Sequence, residues 1–411
     1  MDIGLTKKVE NLKNEVRDFI DNEIRPKEDE YFQDVGAAGS RFKFTSKMLS
    51  TINNLKQKAK SKNLWNFWLT DSKDGHGLTT VEYAYLAEEM GKCRLGAEIF
   101  NCSAPDTGNM EVLKRYGSQR HKELWLKPLL NGEIRSAYCM TEPDVASSDA
   151  TNISLKAESH NGHYILNGEK WWISGAGDPR CKVYIVLAKS GNSKENKHGN
   201  HSMFVVPSDT VGIKILRPMQ VYGHDDAPHG HMHISFKDVK VNKEDLLLNV
   251  EGKGFEIAQG RLGPGRIHHC MRAIGQAEFA LELMCDRALT RTAFGKKVSD
   301  LGANYDIIAN SRIEIEMARL LCLKAAWMMD NFDPKTAAPW ISKIKVIAPQ
   351  VALKVVDEAI QLYGGMGVSQ DTPLAAAWTH LRTLRLADGP DAVHRRQVAK
   401  AELKKFNKND F

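Results

Sequence analysis

The sequence has 411 residues, of which 42% are hydrophobic, 26% charged and 8% aromatic, and these ordinary globular proportions exclude a disordered, collagen-like or low-complexity chain. Lysine and arginine number 57 against 51 aspartates and glutamates, so the formal charge of +6 is too small and too dispersed to indicate a nucleic-acid-binding protein. The seven cysteines include no CxxC pair, and we expect neither a disulfide framework nor a metal site.

No targeting or membrane-spanning segment is predicted. The apolar runs are too short for a membrane span, and the opening MDIGLTKKVENLKNEVRDF has the features of neither a secretory signal nor a transit peptide. The final residues FNKNDF are not a peroxisomal signal. We therefore expect a cytoplasmic protein, with a mitochondrial or peroxisomal location left open.

Three zones of different periodicity follow one another along the chain. In residues 1–132 the apolar positions recur at spacings of three and four, which predicts an N-terminal α-helical domain. Residues 133–248 predict a middle antiparallel β domain, with strands at 152–158, 163–167, 183–188, 203–206, 212–216 and 231–236. In residues 249–411 the helical period returns, with apolar stripes at 274–289, 313–328 and 352–363. The order predicts an α+β protein that ends in a helical bundle.

Two turns are predicted from local sequence. Asn161-Gly162 lies between two alternating runs and predicts a type I′ hairpin, which needs a positive φ at both residues. Gly364-Gly365 ends the last apolar stripe, where a helix needs a residue that accepts a positive φ.

Two motifs of the β zone are candidates for a ligand site. Residues 138–149, YCMTEPDVASSD, predict a loop whose hydroxyls and backbone amides could bind a flat heterocycle or a phosphate. An ordinary connection with serine and threonine as turn formers remains the alternative. In NGEKWWISGA, Trp172 offers a ring for stacking and Ser174 a hydroxyl on the same strand face, unless Trp172 is a core residue.

The helical zone offers further candidates. Arg291 in RTAFGK could bind a diphosphate or cap a helix, and the glycines of QLYGGMG could admit a ligand or only end a helix. Asp388 in RLADGPDAVHRR could be a general base or a turn aspartate. His229, His231 and His233 alternate, but the absence of a carboxylate or cysteine at ligand spacing argues against a metal site.

Taken in order and spacing, YCMTEPDVASSD, NGEKWWIS, RTAFGK, QLYGGMG and ADGPDAVHRR resemble the acyl-CoA dehydrogenase family over nearly the whole chain. Residues 101–110 and 260–272 further resemble the dehydrogenase portion of multidomain animal members that carry an upstream phosphotransferase-like region. The resemblance implies an acyl-CoA dehydrogenase fold with N-terminal helices, a middle β-barrel-like domain and a C-terminal four-helix bundle, assembled as a homodimer or homotetramer.

The resemblance also implies FAD as the cofactor and assigns residues to it. The flavin-ring positions are Tyr138, Met140, Thr141, Trp172, Ile173 and Ser174, with further contacts at Pro390, Asp391 and Ala392. Ser147 and Ser148 match the pyrophosphate and thioester side of the loop. The adenosine diphosphate half matches Arg291, Phe294, Gln361, Gly364 and Gly365. The acyl-CoA positions are Ser148, Gly263, Pro264, Gly265, Arg266 and Gly389.

Asp388 stands where the family usually has a catalytic glutamate. In the implied reaction it removes the α-proton of a medium to long or branched acyl-CoA while a hydride leaves the β-carbon for flavin N5, and an electron-transferring flavoprotein reoxidises the cofactor. An alternative is a flavin oxidase similar to nitroalkane oxidase, with Arg395 and Arg396 near the aspartate. A flavoprotein that sequesters acyl-CoA with little turnover, or a nucleic-acid-associated relative, is a further hypothesis.

Overall fold

The computed structural model describes residues 1–70, 73–247 and 250–406, without the side chains of Leu262 and Pro264. In this part of the chain no helix has both the length and the apolar character that crossing a bilayer requires. The residues form two compact units: residues 1–26, 67–97 and 266 onward, which we call the helical unit, and residues 27–66 and 98–265, which we call the β unit. The predicted domain limits at 132 and 248 stay predictions.

The N-terminal third is helical, as predicted. Its helices are α1 (Lys7–Phe19), α2 (Arg25–Ala37), α3 (Ser46–Ser61), α4 (Thr80–Gly91), α5 (Gly96–Ile99), α6 (Asp106–Tyr116), α7 (Gln119–His121) and α8 (Lys127–Leu130). Helix α4 begins with a capping box, in which Thr79 and Glu82 satisfy each other's backbone amides. Two π-helical turns, Ile20–Ile24 and Lys122–Leu126, follow α1 and α7.

The middle of the chain forms a seven-stranded sheet. Its strands are β1 (Arg135–Cys139), β2 (Lys156–His160), β3 (His163–Ser174), β4 (Cys181–Lys189), β5 (His201–Pro207), β6 (Ile213–Pro218) and β7 (His231–Asn242). They lie in the order β1-β4-β2-β3-β7-β6, with β5 on β4. The sheet is not wholly antiparallel as predicted, because β1 pairs with β4 in parallel and β2 meets β4 in parallel at one residue pair. Strand β4 is buried along most of its length, which explains its nearly continuous apolar sequence.

Three local predictions in this zone were wrong. Tyr138 does not open a loop but lies in strand β1. The sequence did not indicate this strand, because a strand of five residues is too short to show a period. The strand expected from residue 152 begins at Lys156, since residues 150–152 form a 3-10 turn. The β2–β3 hairpin is confirmed, but only Gly162 has a positive φ, so its turn is not type I′.

In its described residues, the last zone contains five α-helices and a short hairpin. The helices are α9 (Gly254–Thr290), α10 (Asn304–Asn331), α11 (Pro334–Tyr363), α12 (Leu374–Leu384) and α13 (Asp391–Leu403), and strands β8 (Thr292–Ala293) and β9 (Lys296–Lys297) follow α9. Helix α11 ends where predicted, with Gly364 at φ +66° and ψ −140°, a conformation that suits glycine. The stripe through Ile313, Met317 and Leu320 is exposed rather than buried. The packed face of α10 carries Ile315, Ala318 and Cys322 instead.

Candidate active site

In the β unit, the candidate cofactor loop after β1 is tied down by a buried ion pair. The Lys170 ammonium donates to the carbonyl oxygen of Met140 at 2.9 Å, to Glu142 Oε1 at 2.8 Å and to the carbonyl oxygen of Leu187 at 2.7 Å. Glu142 also accepts hydrogen bonds from the backbone amide and hydroxyl of Ser154. Because these groups are buried and fully engaged, they fix the backbone on both sides of Thr141.

The hydroxyls of this loop have different surroundings. Ser147 Oγ accepts a hydrogen bond from the Glu142 amide at 3.0 Å, so its oxygen helps to shape the turn, as the turn-former alternative expects. Ser148 is exposed, and Thr141 is half-buried. Of these three hydroxyl residues, Ser148 is therefore the one that faces solvent.

Trp172 occupies a β-bulge with an unusual backbone. Between the paired residues Lys170 and Ile173, strand β3 carries two tryptophans opposite one residue of β7. Trp172 has φ +55°, a strained value for a bulky side chain. Its ring is half-buried while Ile173 is buried in the sheet core, so Trp172 is not the core tryptophan of the alternative interpretation. Such strain is typical of functional sites.

His231 also joins this set, a place that its alternation with His229 and His233 did not indicate. Its Nδ1 lies 2.8 Å from Ser174 Oγ, and its ring lies 5.9 Å from that of Trp172. The register of β3 on β7, which pairs residues 174 and 231, brings them together, and no local motif signals it. His233 contacts Glu169 at 2.7 Å, and no cluster of metal-ligating side chains is found among the residues that the structure describes.

Strand β1, which carries Tyr138, contacts residues from two sequence segments that lie outside the sheet: Asn109 and Arg261. The Arg261 guanidinium stacks 3.9 Å from the centre of the Tyr138 ring. Arg261 Nε also donates to Asn109 Oδ1 at 3.2 Å, and Asn109 donates to Ser136 Oγ at 2.9 Å. Within the β unit, Arg261 and Asn109 thus contact each other and the strand that carries Tyr138.

In the helical unit, a hairpin presents Arg291 and Phe294 to solvent. Strands β8 and β9 are joined by Phe294 and Gly295, whose φ values of +50° and +76° are both positive. The Phe294 side chain is 97% exposed, and Arg291 is exposed at the end of α9. The hairpin therefore presents an aromatic ring and a cation that are both exposed to solvent.

The turn after α11 is open on its outer side. A Cβ added at Gly364 or Gly365 would meet no atom within 4 Å, and Gln361 is exposed. Nearby, Arg287 lies over the ring of Tyr363, and its Nε is a buried donor without a hydrogen-bond partner among the described residues. Open glycines beside an unsatisfied cationic donor suit an anionic ligand.

Asp388 has a left-handed backbone that is held from two helices. Its φ is +55°, and Gly389 follows at +102°. The carbonyl oxygen of Asp388 lies 3.0 Å from Arg266 Nε on α9 and 3.2 Å from His394 Nε2 on α13. A Cβ at Gly389 would stand 2.9 Å from His394 Nε2, so glycine allows this histidine to approach.

Buried basic groups surround Asp388. Burial, with a smaller contribution from the charge of neighbouring Arg266, lowers the pKa of His394 to about 4. Burial also lowers the pKa values of Arg266 and Lys345. Lys345 Nζ donates to the carbonyl oxygen of Leu384 at 2.6 Å. Arg395 and Arg396, which the oxidase alternative invoked, are exposed.

The remaining predicted residues differ in what they contact. Arg385 Nη2 and Gln350 Nε2 donate to the same oxygen of Asp391, Oδ2, at 2.7 and 3.0 Å. The other oxygen, Oδ1, is buried without a hydrogen-bond partner among the described residues. Pro390 is half-buried and Ala392 exposed at the start of α13. In α9, a Cβ at Gly263 or Gly265 would meet nothing within 4 Å, whereas the Pro264 side chain lies outside the described residues.

Considered one unit at a time, these residues fit FAD. The β unit supplies a half-buried indole and a hydroxyl for a planar ring, and the helical unit supplies the open glycine turn and arginines for a diphosphate. The unpartnered Arg287 Nε is the observation that an anionic group would explain.

Comparison with known proteins supports the same assignment. Models of the N-terminal, middle and C-terminal domains of acyl-CoA dehydrogenase match residues 6–133, 137–239 and 252–403. FadE2 of Mycobacterium tuberculosis, assigned as an acyl-CoA dehydrogenase, is 46% identical over 98% of this chain and 97% of its own length. A solved Mycobacterium abscessus structure assigned to the same enzymes has a TM-score of 0.93 and 48% identity, covering 98% of this chain and 100% of its own.

An animal relative is longer. Acyl-CoA dehydrogenase family member 10 of Mus musculus is 50% identical over 98% of this chain, which spans 37% of the mouse protein. Because domain models match in order along nearly the whole chain and FadE2 matches from end to end, this chain belongs to the acyl-CoA dehydrogenase family, whose members are oxidoreductases with FAD as cofactor.

Proposed function

We propose that this chain catalyses the α,β-dehydrogenation of an acyl-CoA thioester to the trans-2-enoyl-CoA, with Asp388 as the base. FAD, when held by the residues described above, would supply the acceptor for the hydride that leaves the β-carbon. The observation that carries the proposal is the setting of Asp388, on a strained left-handed backbone whose carbonyl oxygen is held by Arg266 and His394. Because the backbone of Asp388 is fixed in this way, its carboxylate can be directed at an α-proton with less loss of conformational freedom.

The residues around the cofactor have separate tasks in this proposal. Tyr138, Met140 and Thr141 lie on or next to the segment that Lys170 anchors, so its backbone is held by contacts within the protein. Trp172 and Ser174 would hold the flavin ring, while Arg291, Phe294 and Gln361 would hold the adenosine diphosphate half. Thioester carbonyl polarisation by hydrogen-bond donors is needed as well, because a free carboxylate alone is too weak a base.

We also propose a medium to long or branched acyl chain. Support comes from helix α9, where Gly263 and Gly265 leave open space at the positions that a side chain would fill. The exposed hydroxyl of Ser148 supports a contact with the polar part of the thioester. Acyl-CoAs of increasing length and branching test this part of the proposal.

The test is anaerobic reduction of the flavin. The purified protein is mixed with each acyl-CoA, and loss of the visible flavin band is followed by stopped flow. We expect Asp388→Asn to retain FAD but to lose at least 100-fold in the rate of bleaching. Asp388→Glu keeps a carboxylate and should retain part of the rate, and Asp371→Asn, an exposed turn carboxylate of the same unit, serves as the control.

Three results would contradict the proposal. Unchanged bleaching in Asp388→Asn would show that another group is the base. Tight acyl-CoA binding without bleaching in the wild type would indicate a sequestering flavoprotein. Oxygen consumption with a nitroalkane, in the absence of another acceptor, would indicate the oxidase.

The acceptor, assembly and location are proposals of the same kind. We propose an electron-transferring flavoprotein as the acceptor, and a homodimer or homotetramer in a cytoplasmic setting. The exposed apolar residues Ile313, Met317 and Leu320, which share one face of α10, support burial against another copy. Light scattering of the eluted holoenzyme measures the number of subunits, and a monomer would contradict the proposed assembly.

A further inference from the structure

A histidine on α9 faces the carboxylate of Asp388. His269 Nε2 lies 3.6 Å from Asp388 Oδ2. His269 follows Arg266 by three residues, so both lie on the same face of α9. Arg266 contacts the backbone carbonyl of Asp388, and His269 contacts its side chain. One helix face thus contacts both parts of the candidate base.

The position of the proton on His269 follows from its other neighbour. Arg272 Nη2 lies 3.3 Å from His269 Nδ1. A guanidinium can only donate, so Nδ1 accepts and the ring proton is on Nε2, the atom that faces Asp388. Burial and Arg272 both lower the pKa of His269, which favours the neutral ring. A neutral ring in this tautomer presents an N–H to the carboxylate.

We propose that His269 is a positioning residue for the base, holding one carboxylate oxygen of Asp388 through Nε2–H and so fixing the rotation of the carboxylate. The inference rests on the proposed function, in which Asp388 takes the α-proton. His269 keeps its own proton throughout the step. At 3.6 Å the contact is longer than a hydrogen bond, and such contacts in ligand-free active sites often tighten in the complex.

The other charged and titratable groups around the pair come from four helices. They are Arg266, Cys270 and Arg272 on α9, Lys345 on α11, His380 on α12 and His394 on α13. Arg266, Lys345 and His394 contact backbone carbonyl oxygens, so they keep their places when His269 is changed. A change in pH dependence in a His269 variant therefore reports the loss of its own N–H.

Two amide substitutions separate positioning from simple packing. His269→Gln places an amide N–H near the former Nε2, whereas His269→Asn places it near the former Nδ1, away from Asp388. Both keep a polar group in the same half-buried place. His268→Asn is the matched control, because the neighbouring His268 of α9 is buried and packs against the Tyr83 ring at 4.5 Å.

The readouts are the bleaching rate, its pH profile and its isotope effect. In His269→Asn we expect about a tenfold slower limiting rate with little change in KM, and an acid limb that moves up by about one pH unit, because the carboxylate loses a donor. The kinetic isotope effect of α-deuterated acyl-CoA should rise, since proton removal becomes more rate-limiting. His269→Gln should recover most of the rate, and His268→Asn should behave as the wild type.

The inference is overturned if His269→Asn and His269→Gln have the same rate, pH profile and isotope effect, whether both match the wild type or both are impaired. That failure differs from failure of the proposed function. In the latter case the wild type bleaches with no acyl-CoA, or Asp388→Asn bleaches as fast as the wild type.

Discussion

The buried Lys170–Glu142 pair predicts a large loss of stability when one partner is removed. We consider Lys170→Met, which keeps the length of the side chain and removes its charge. The Lys170 side chain is 0% exposed and that of Glu142 3% exposed, so water does not replace the lost partner. Glu142 would remain as a buried carboxylate without its counter-ion.

The size of the effect follows from the contacts. Lys170 donates three hydrogen bonds, at 2.7 to 2.9 Å, and one of them goes to a charged group. Removing one member of a buried pair costs about 3–5 kcal/mol of unfolding free energy. Burial alone would raise the pKa of Glu142, but the Lys170 charge and hydrogen bonds lower it overall. The part of the stability that depends on this carboxylate is therefore present at neutral pH and lost as the pH falls through its folded-state pKa.

The assay is urea unfolding at pH 7 together with measurement of bound FAD. Lys170→Met, Glu142→Gln and the double variant form a cycle with the wild type. We expect the double variant to cost less than the sum of the single variants, because neither partner is then left charged and alone. We also expect weaker FAD binding in Lys170→Met, since the carbonyl oxygen of Met140 loses its donor.

Two results would refute this reasoning. A cost below about 1 kcal/mol for Lys170→Met would show that the pair contributes little, as exposed pairs do. Strict additivity in the cycle would show that the two residues act independently.

Two further predictions concern the helical unit. A Cβ at Gly275 would stand 2.0 Å from the Glu88 carbonyl oxygen, so Gly275→Ala must separate α9 from α4. We expect this variant to lose about 1–3 kcal/mol of unfolding free energy in urea, whereas the control Gly36→Ala, where a Cβ has open space, should be neutral or slightly stabilising. Equal effects of the two substitutions would contradict the close packing of α9 on α4. Because burial lowers the pKa of His394 from 6.5 to about 4, the unfolded chain binds a proton that the folded one does not, so stability should fall between pH 6.5 and 4 by up to roughly 3 kcal/mol. His394→Gln should reduce this slope, and an unchanged slope would contradict the assignment.

The sequence was sufficient for the order of the zones. The N-terminal helices, the middle strands and the C-terminal helices follow the periodicity of their own residues, and the end of α11 follows from one glycine. The sequence did not predict pairing between segments that are distant from each other along the chain. The parallel contact of β1 with β4 is an example, since Arg135–Cys139 alone has the composition of many short segments.

In the candidate site, too, the sequence predicted the local features but not the contacts between distant residues. Asp388, Trp172 and the loop around Thr141 could be named from sequence, because residue type, neighbouring glycine or proline and family motif are all local. The groups that act on them come from elsewhere in the chain. His231 reaches Ser174 through strand register, Lys170 crosses to Glu142, and His269 faces Asp388 from helix α9. Periodicity records which side of an element is buried, whereas the partner of a buried polar group is chosen by packing in three dimensions. The sequence by itself therefore determined the fold class and the candidate base, and only the tertiary structure decided what holds that base.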